Sequence, residues 1–187
     1  MQHLEIEFKS LLSQADYQQL EALFEDTTAI IQTNYYLETP SWAIKKAKMA
    51  LRIRTLDDRA ELTLKIPQTV GNQEYNQPLS REEAEDILEN LQLPKGDIVS
   101  LLEEHNIPLN QLTCLGALTT KRLEKQFPIG LMALDENTYA DQKDFELELE
   151  VTDAQKGKSD FDAFLNTHKI PYRFAKSKVA RFVDTLD

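Results

Sequence analysis

The stretch LEIEFK, residues 4–9, alternates apolar and charged side chains: Leu4, Ile6 and Phe8 fall on one side, Glu5, Glu7 and Lys9 on the other. A period of two belongs to a β-strand and assigns each side chain to a face. The same rhythm returns near the far end in KDFELELEVT (143–152), where Glu146, Glu148 and Glu150 share one face. Between them, AIIQTNYYLE (29–38) reads as a strand closed by Thr39-Pro40-Ser41, and MALRIRTL (49–56) with AELTLKI (60–66) as a hairpin about Asp57-Asp58-Arg59. A weaker strand covers 74–79, and 113–127 and 131–140 complete the set. About eight strands with short connections mark an antiparallel meander or barrel.

Helices interrupt this pattern. Ser13-x-x-Asp16 opens a run with Tyr17, Leu20 and Phe24 on one face, and Ser80-x-x-Glu83 opens one carrying Ala84, Ile87, Leu88 and Leu91. Both starts are capping boxes in form. A shorter helix is expected over 97–105, another starting at Ser159-x-x-Asp162, and a terminal one over 176–186.

The polar strand faces carry Glu5, Glu7 and Lys9; Arg52 and Arg54; Glu61, Thr63 and Lys65; Arg122 and Glu124; Asp135 and Asn137; Glu146, Glu148 and Glu150. A sheet with one wet face alternates in the same way. Two features weigh against that reading. The polar positions are nearly all charged, where wet strand faces usually hold Thr and Ser. The amphipathic helices also need apolar surface, and the apolar strand faces are the surface available. The expected architecture is therefore α+β: an eight-stranded antiparallel closed β-barrel, charged within, with helices packed outside.

A chain of 187 residues suits one domain, 1–187. Its net charge of −11 argues against non-specific nucleic-acid binding and against an anionic membrane surface. One cysteine, Cys114, excludes an internal disulfide and a thiolate metal cluster. No apolar run approaches a membrane span, and a cytoplasmic location is expected. Buried charges of both signs are tolerated when paired or when they hold ions and ligands. Carboxylates at spacing two suit a hard divalent cation, and arginines and lysines suit phosphate oxygens. Glu5-x-Glu7-x-Lys9 contains both halves of that chemistry.

Here the residues resemble a known family. Glu5-x-Glu7-x-Lys9 is similar to the ExExK signature of CYTH proteins, the triphosphate tunnel metalloenzymes, which include inorganic triphosphatases, thiamine triphosphatases and class IV adenylyl cyclases. Arg52-x-Arg54, Lys65, Arg122, Asp135, Glu148-x-Glu150 and Lys178 fall in family order. The resemblance implies Mg²⁺ or Mn²⁺ held by Glu5, Glu7, Asp135, Glu148 and Glu150. It implies a triphosphate gripped by Lys9, Arg52, Arg54, Lys65, Arg122 and Lys178, with Glu7 and Lys9 nearest the chemistry. Glu146 competes with the Glu148–Glu150 register, and Lys176 with Lys178.

The activity so implied is metal-dependent hydrolysis of inorganic, nucleoside or thiamine triphosphate with release of orthophosphate. Adenylyl cyclisation and non-catalytic binding of a triphosphate or polyphosphate are the alternatives. Tyr36 shares the polar face of Asn34 and Glu38 and is either a candidate catalytic group, as the resemblance implies, or a rim aromatic. Cys114 is expected to be a small buried hydrophobe. His3, His105 and His168 share no metal-ligand spacing. Trp42, before Lys45, Lys46 and Lys48, is either a lid or an exposed side chain. The acidic helix around Glu82, Glu83, Glu85 and Asp86 reads as a solvated face.

Overall fold

Eight strands alternate with six α-helices in the computed structural model, which describes residues 1–186. They are β1 (Gln2–Leu12), α1 (Gln14–Glu21), β2 (Ile30–Glu38), α2 (Ala43–Lys46), β3 (Ala50–Thr55), β4 (Ala60–Pro67) and β5 (Asn72–Leu79). There follow α3 (Arg81–Asn90), α4 (Asp97–Glu104), β6 (Thr113–Phe127), β7 (Gly130–Tyr139), β8 (Gln142–Val151), α5 (Ala154–Thr167) and α6 (Lys178–Val183). The strands close into an antiparallel barrel in the order β1-β5-β4-β3-β2-β6-β7-β8, with the helices packed around it. Residue 187, the end of the expected domain, lies outside the described residues. Among these residues no helix is long and apolar enough to cross a membrane.

The chain forms two compact units. The first comprises Met1–Leu4 and Gln32–Ala117. Its strands β2 to β5 pair in register, with Asn34 opposite Arg54, Tyr36 opposite Arg52, Ala50 opposite Lys65 and Lys65 opposite Glu74. Leu37, Leu51, Ile53, Leu62 and Leu64 leave one face of this sheet and pack with Ala84 and Ile87 of α3 and Ile98 and Leu102 of α4. Full burial of such side chains contributes about 1.5–3 kcal/mol each before entropy is subtracted. The charged positions of the same strands take the opposite face, as period two requires.

The second unit comprises Glu5–Ile31 and the chain from Leu118 onward. Strand β1 pairs with β8, placing Glu7 opposite Glu150 and Lys9 opposite Glu148. β7 joins β6 and β8, with Asp135 opposite both Arg122 and Glu146. Leu123, Met132, Leu134, Leu147 and Leu149 pack with Leu20, Phe24, Phe161 and Leu165. Beyond α5 an extended segment runs beside β1: Leu11 N–H donates to the Arg173 carbonyl at 3.0 Å, and Arg173 N–H to Ser10 Oγ at 2.9 Å.

Both expected capping boxes form. Ser13 accepts from Asp16 N–H and Ser80 from Glu83 N–H, with the acidic side chain answering in each case. Three expectations are corrected. The helix expected from Ser159 begins five residues earlier, capped by Asp153, which accepts from Lys156 N–H at 2.9 Å. Its first turn is polar and holds Gly157, which reads as loop, yet the glycine is required. A Cβ there would stand 2.6 Å from Val151 Cγ2. Cys114 is exposed rather than buried, because β7 pairs with β6 only from Thr119 onward and the first residues of β6 run past that ladder. The loop holding Trp42 contains the short helix α2, anchored by the buried Glu38 carboxylate, which accepts from Thr39, Ile44 and Lys45 N–H groups. Trp42 itself is left-handed (φ 59°), with the Lys45 ammonium 5.3 Å from its ring centre.

Candidate active site

In the second unit, β7 and β8 bring Asp135, Glu146 and Glu148 together, all buried, with carboxylate oxygens within 4.8 Å of one another. Arg122, opposite Asp135 on β6, donates from Nε and Nη2 to the two Asp135 oxygens at 2.8 and 2.6 Å, and from Nη2 to Glu148 at 2.7 Å. The start of α6 aims Lys178 into the same group. Its ammonium lies 2.8 Å from Asp135, 2.6 Å from Glu148 and in contact with Glu146. One turn on, Arg181 binds Glu146 and Asp144, and Asp144 also accepts from Tyr139 Oη at 2.6 Å and Asn137 Nδ2 at 2.9 Å.

Burial favours the uncharged forms of all these groups, but the charge partners decide most of them. Against burial, Arg122 and Lys178 hold Asp135 below the usual carboxylate range, and Lys178, Arg122 and Lys9 hold Glu148 well below it. Lys178 and Arg122 are raised in turn by these carboxylates. Glu146 goes the other way. Its burial, with Glu148 beside it, outweighs the pull of Lys178 and Arg181 and lifts it to about 7. On β1, Lys9 donates to Glu7 at 2.6 Å, and Glu7 and Glu148 raise its pKa in spite of burial.

The donors fit a hard divalent cation. They are all carboxylate oxygens, and the Lys178 ammonium already occupies the position a cation would take among them. A second pair of carboxylates, Glu7 and Glu150, stands directly opposed across β1 and β8. Like charges so placed repel unless a cation lies between them.

In the first unit the strand faces carry Arg52, Arg54 and Lys65. Arg54 Nε donates to Asn34 Oδ1 at 2.9 Å and Arg54 approaches Glu61 at 3.7 Å. Lys65 lies 3.1 Å from Glu74. Burial would raise Glu74, but Lys65, Arg52 and a hydrogen bond from Asn76 bring its carboxyl down to about 2.

Of the residues singled out in the sequence, Asp135, Glu148, Arg122 and Lys178 form one cluster in the second unit, which also draws in Glu146. Lys178 rather than Lys176 reaches it, since Lys176 pairs with Asp184 at the surface. Glu5, Glu7 and Glu150 lie outside the carboxylate group, half-buried on β1 and β8. Arg52, Arg54 and Lys65 share a face in the first unit. Tyr36 is buried opposite Arg52 on that face. Sequence reading passed over Arg181 and Asp144. Arg181 follows Lys178 by three residues, the spacing that puts both on one side of a helix.

The CYTH domain family model matches residues 3–183. The chain is 35% identical over 185 residues to the Bacillus subtilis protein named "Putative triphosphatase YjbK", covering 98% of this chain and 96% of that one. The crystal structure of a Bacillus halodurans protein named "a putative adenylate cyclase" superposes with a TM-score of 0.91 at 33% identity, over 97% of this chain and 98% of that one. The Hippeastrum protein HpAC1, named "putative adenylyl cyclase" and described as revealing a dominant triphosphatase activity, gives 0.85 at 25% identity over 97% and 96%.

Proposed function

Since the chain belongs to the CYTH family, we propose that it hydrolyses a triphosphate with the help of Mg²⁺ or Mn²⁺, releasing orthophosphate. The observation that carries this reading is the buried pair of Asp135 and Glu148 carboxylates bound to Arg122 and Lys178. It combines oxygen donors for a hard cation with fixed positive charge for phosphate oxygens.

In this reading Glu5, Glu7, Asp135, Glu148 and Glu150 hold the cation. When bound, it supplies Lewis-acid neutralisation of phosphate oxygens and a more acidic water. Arg52, Arg54, Lys65, Arg122 and Lys178 bind the phosphate chain, and Lys9 neutralises charge on the terminal phosphoryl group. Glu7, tied to Lys9, takes the proton from the attacking water as its oxygen bonds to the terminal phosphorus. The bond to the bridging oxygen breaks, and pyrophosphate leaves when the substrate is inorganic triphosphate. Fixed charges are the main device, because a loose phosphoryl-transfer transition state needs little covalent help. The single domain 1–187 acts in this scheme on a small molecule, in the cytoplasm, with no nucleic acid or membrane.

Product analysis tests the reading. Inorganic triphosphate with Mg²⁺ or Mn²⁺ should give pyrophosphate and orthophosphate, and ATP should give ADP and orthophosphate. Cyclic AMP with stoichiometric pyrophosphate would assign a cyclase instead. Binding of triphosphate with no turnover under either metal would leave a binding protein.

A further inference from the structure

Three buried side-chain N–H groups in the first unit find no acceptor among the protein's atoms: Gln32 Nε2, Asn34 Nδ2 and Arg52 Nε. Among the described residues these are all the buried side-chain nitrogens left so. They share one face of neighbouring strands. Gln32 and Asn34 are two apart on β2, and the residues opposite Tyr36 and Asn34 on β3 are Arg52 and Arg54. Asn34 and Gln32 are 0% and 4% exposed.

The Asn34 amide is oriented without ambiguity. Its Oδ1 faces Arg54 Nε at 2.9 Å, and a guanidinium can only donate, so the atom there must be oxygen. Nδ2 is thereby turned away from Arg54 and left without a partner. The next strands of the same sheet satisfy their polar groups. Thr63 donates to Asn76 Oδ1 at 2.8 Å, and Asn76 Nδ2 to Glu74 at 3.0 Å. Native proteins seldom leave a buried donor unpaired, and three on one face, two of them at positions opposed across β2 and β3 to Arg54 and Tyr36, call for a partner rich in acceptors.

Resting on the triphosphatase reading, we propose that Gln32, Asn34 and Arg52 Nε form a donor row that binds phosphate-type oxyanion oxygens, lengthening the grip of Arg52 and Arg54 along β2. Arg54 then has two tasks: it presents its own donors and it points the Asn34 amide. Neutral amide donors add hydrogen bonds without adding charge, so this row selects for the shape of the phosphate chain.

The test uses the full chain and inorganic triphosphate, with binding measured calorimetrically in EDTA and melting followed with and without the anion. Asn34→Asp keeps an oxygen facing Arg54 but removes the donor. Gln32→Met removes a donor with little change in shape. Triphosphate affinity should fall roughly 10- to 100-fold in the first and about tenfold in the second. The ligand-free melting temperature should hold or rise in both, because an unpaired buried donor has been removed. Affinities within twofold of the parent protein, or a lower ligand-free melting temperature at unchanged affinity, would show a merely structural role and overturn the proposal. Failure of the parent protein to bind triphosphate both in EDTA and with Mg²⁺ would overturn the underlying reading, and the donor row with it.

Discussion

Glu148 makes the case at the scale of single residues. Alternation suggests relief of repulsion if one carboxylate of this strand is neutralised, but the structure surrounds Glu148 with Arg122 at 2.7 Å and Lys178 at 2.6 Å. Glu148→Gln should therefore lower the melting temperature of the metal-free protein and cut metal-supported turnover by at least ~10²-fold, the scale at which one preorganised charge matters. Unchanged turnover at saturating Mg²⁺ would remove Glu148 from the site. Glu74 carries a pH signature. Its carboxyl is held at about 2 against an ordinary 4.5. A depressed folded pKa contributes stability that is complete above about 4.5 and is lost as pH falls towards 2. Glu74→Gln should flatten the acid limb of the stability curve in that window by up to about 1.4 kcal/mol per pH unit, measured by urea unfolding. An unaltered slope would mean that Lys65 and Arg52 do not hold Glu74 ionised. Alternation placed the charged strand residues, and Asn34 with them, on polar faces, while the metal and phosphate roles came from the resemblance. Arg181 and the unpaired amides of Asn34 and Gln32 gave no signal, because a helix surface and a neutral amide carry none until a partner, or the lack of one, is visible.

At the level of elements, local chemistry announced α1 and α3 through their Ser capping boxes and concealed the start of α5. Gly157 sits in the first turns of α5, where helix propensity alone favours alanine by about 1 kcal/mol. The Val151 side chain reverses that sign, since an added Cβ meets Cγ2 at 2.6 Å and Cγ1 at 2.8 Å. Gly157→Ala should destabilise by about 1–3 kcal/mol, a melting drop of a few degrees. The double variant with Val151→Ala should recover most of the loss, as coupled neighbours do. A stabilised single variant would show that β8 and α5 have room to part. The misplaced start of α5 and the exposure of Cys114 share a cause. Each depends on where a neighbouring strand or side chain ends, which residue spacing cannot show.

Across the whole molecule, the α+β barrel was readable because charge and apolarity alternate on strand after strand, and helices with one apolar face account for the rest. Strand order was not readable. β1 lies between β5 and β8 rather than beside β2, so one of its two partners comes late in the chain. Pairing across such sequence separations slows folding, because loop closure precedes the contacts that reward it. In stalled nascent chains, residues 6–12 of β1 should gain full protease protection only once β8 is outside the ribosome. Protection of residues 6–12 in chains ending at residue 140, which lack β8, would contradict the pairing of β1 with β8.

The hydrogen bond between Ser10 and Arg173 joins residues 163 apart in sequence. At about 5–20 residues per second, roughly ten to thirty seconds of synthesis separate the birth of β1 from that of its last partner. Until β8 is made, the edge of the strand that β8 will cover stays open to any other chain. Glu5, Glu7 and Lys9 are the kind of side chains that spoil such encounters, since alternating charge discourages edge-to-edge pairing. The residues proposed to hold metal and phosphate in the finished molecule thus serve earlier as chaperones of their own strand, and replacing all three with apolar residues would cost yield before it cost catalysis.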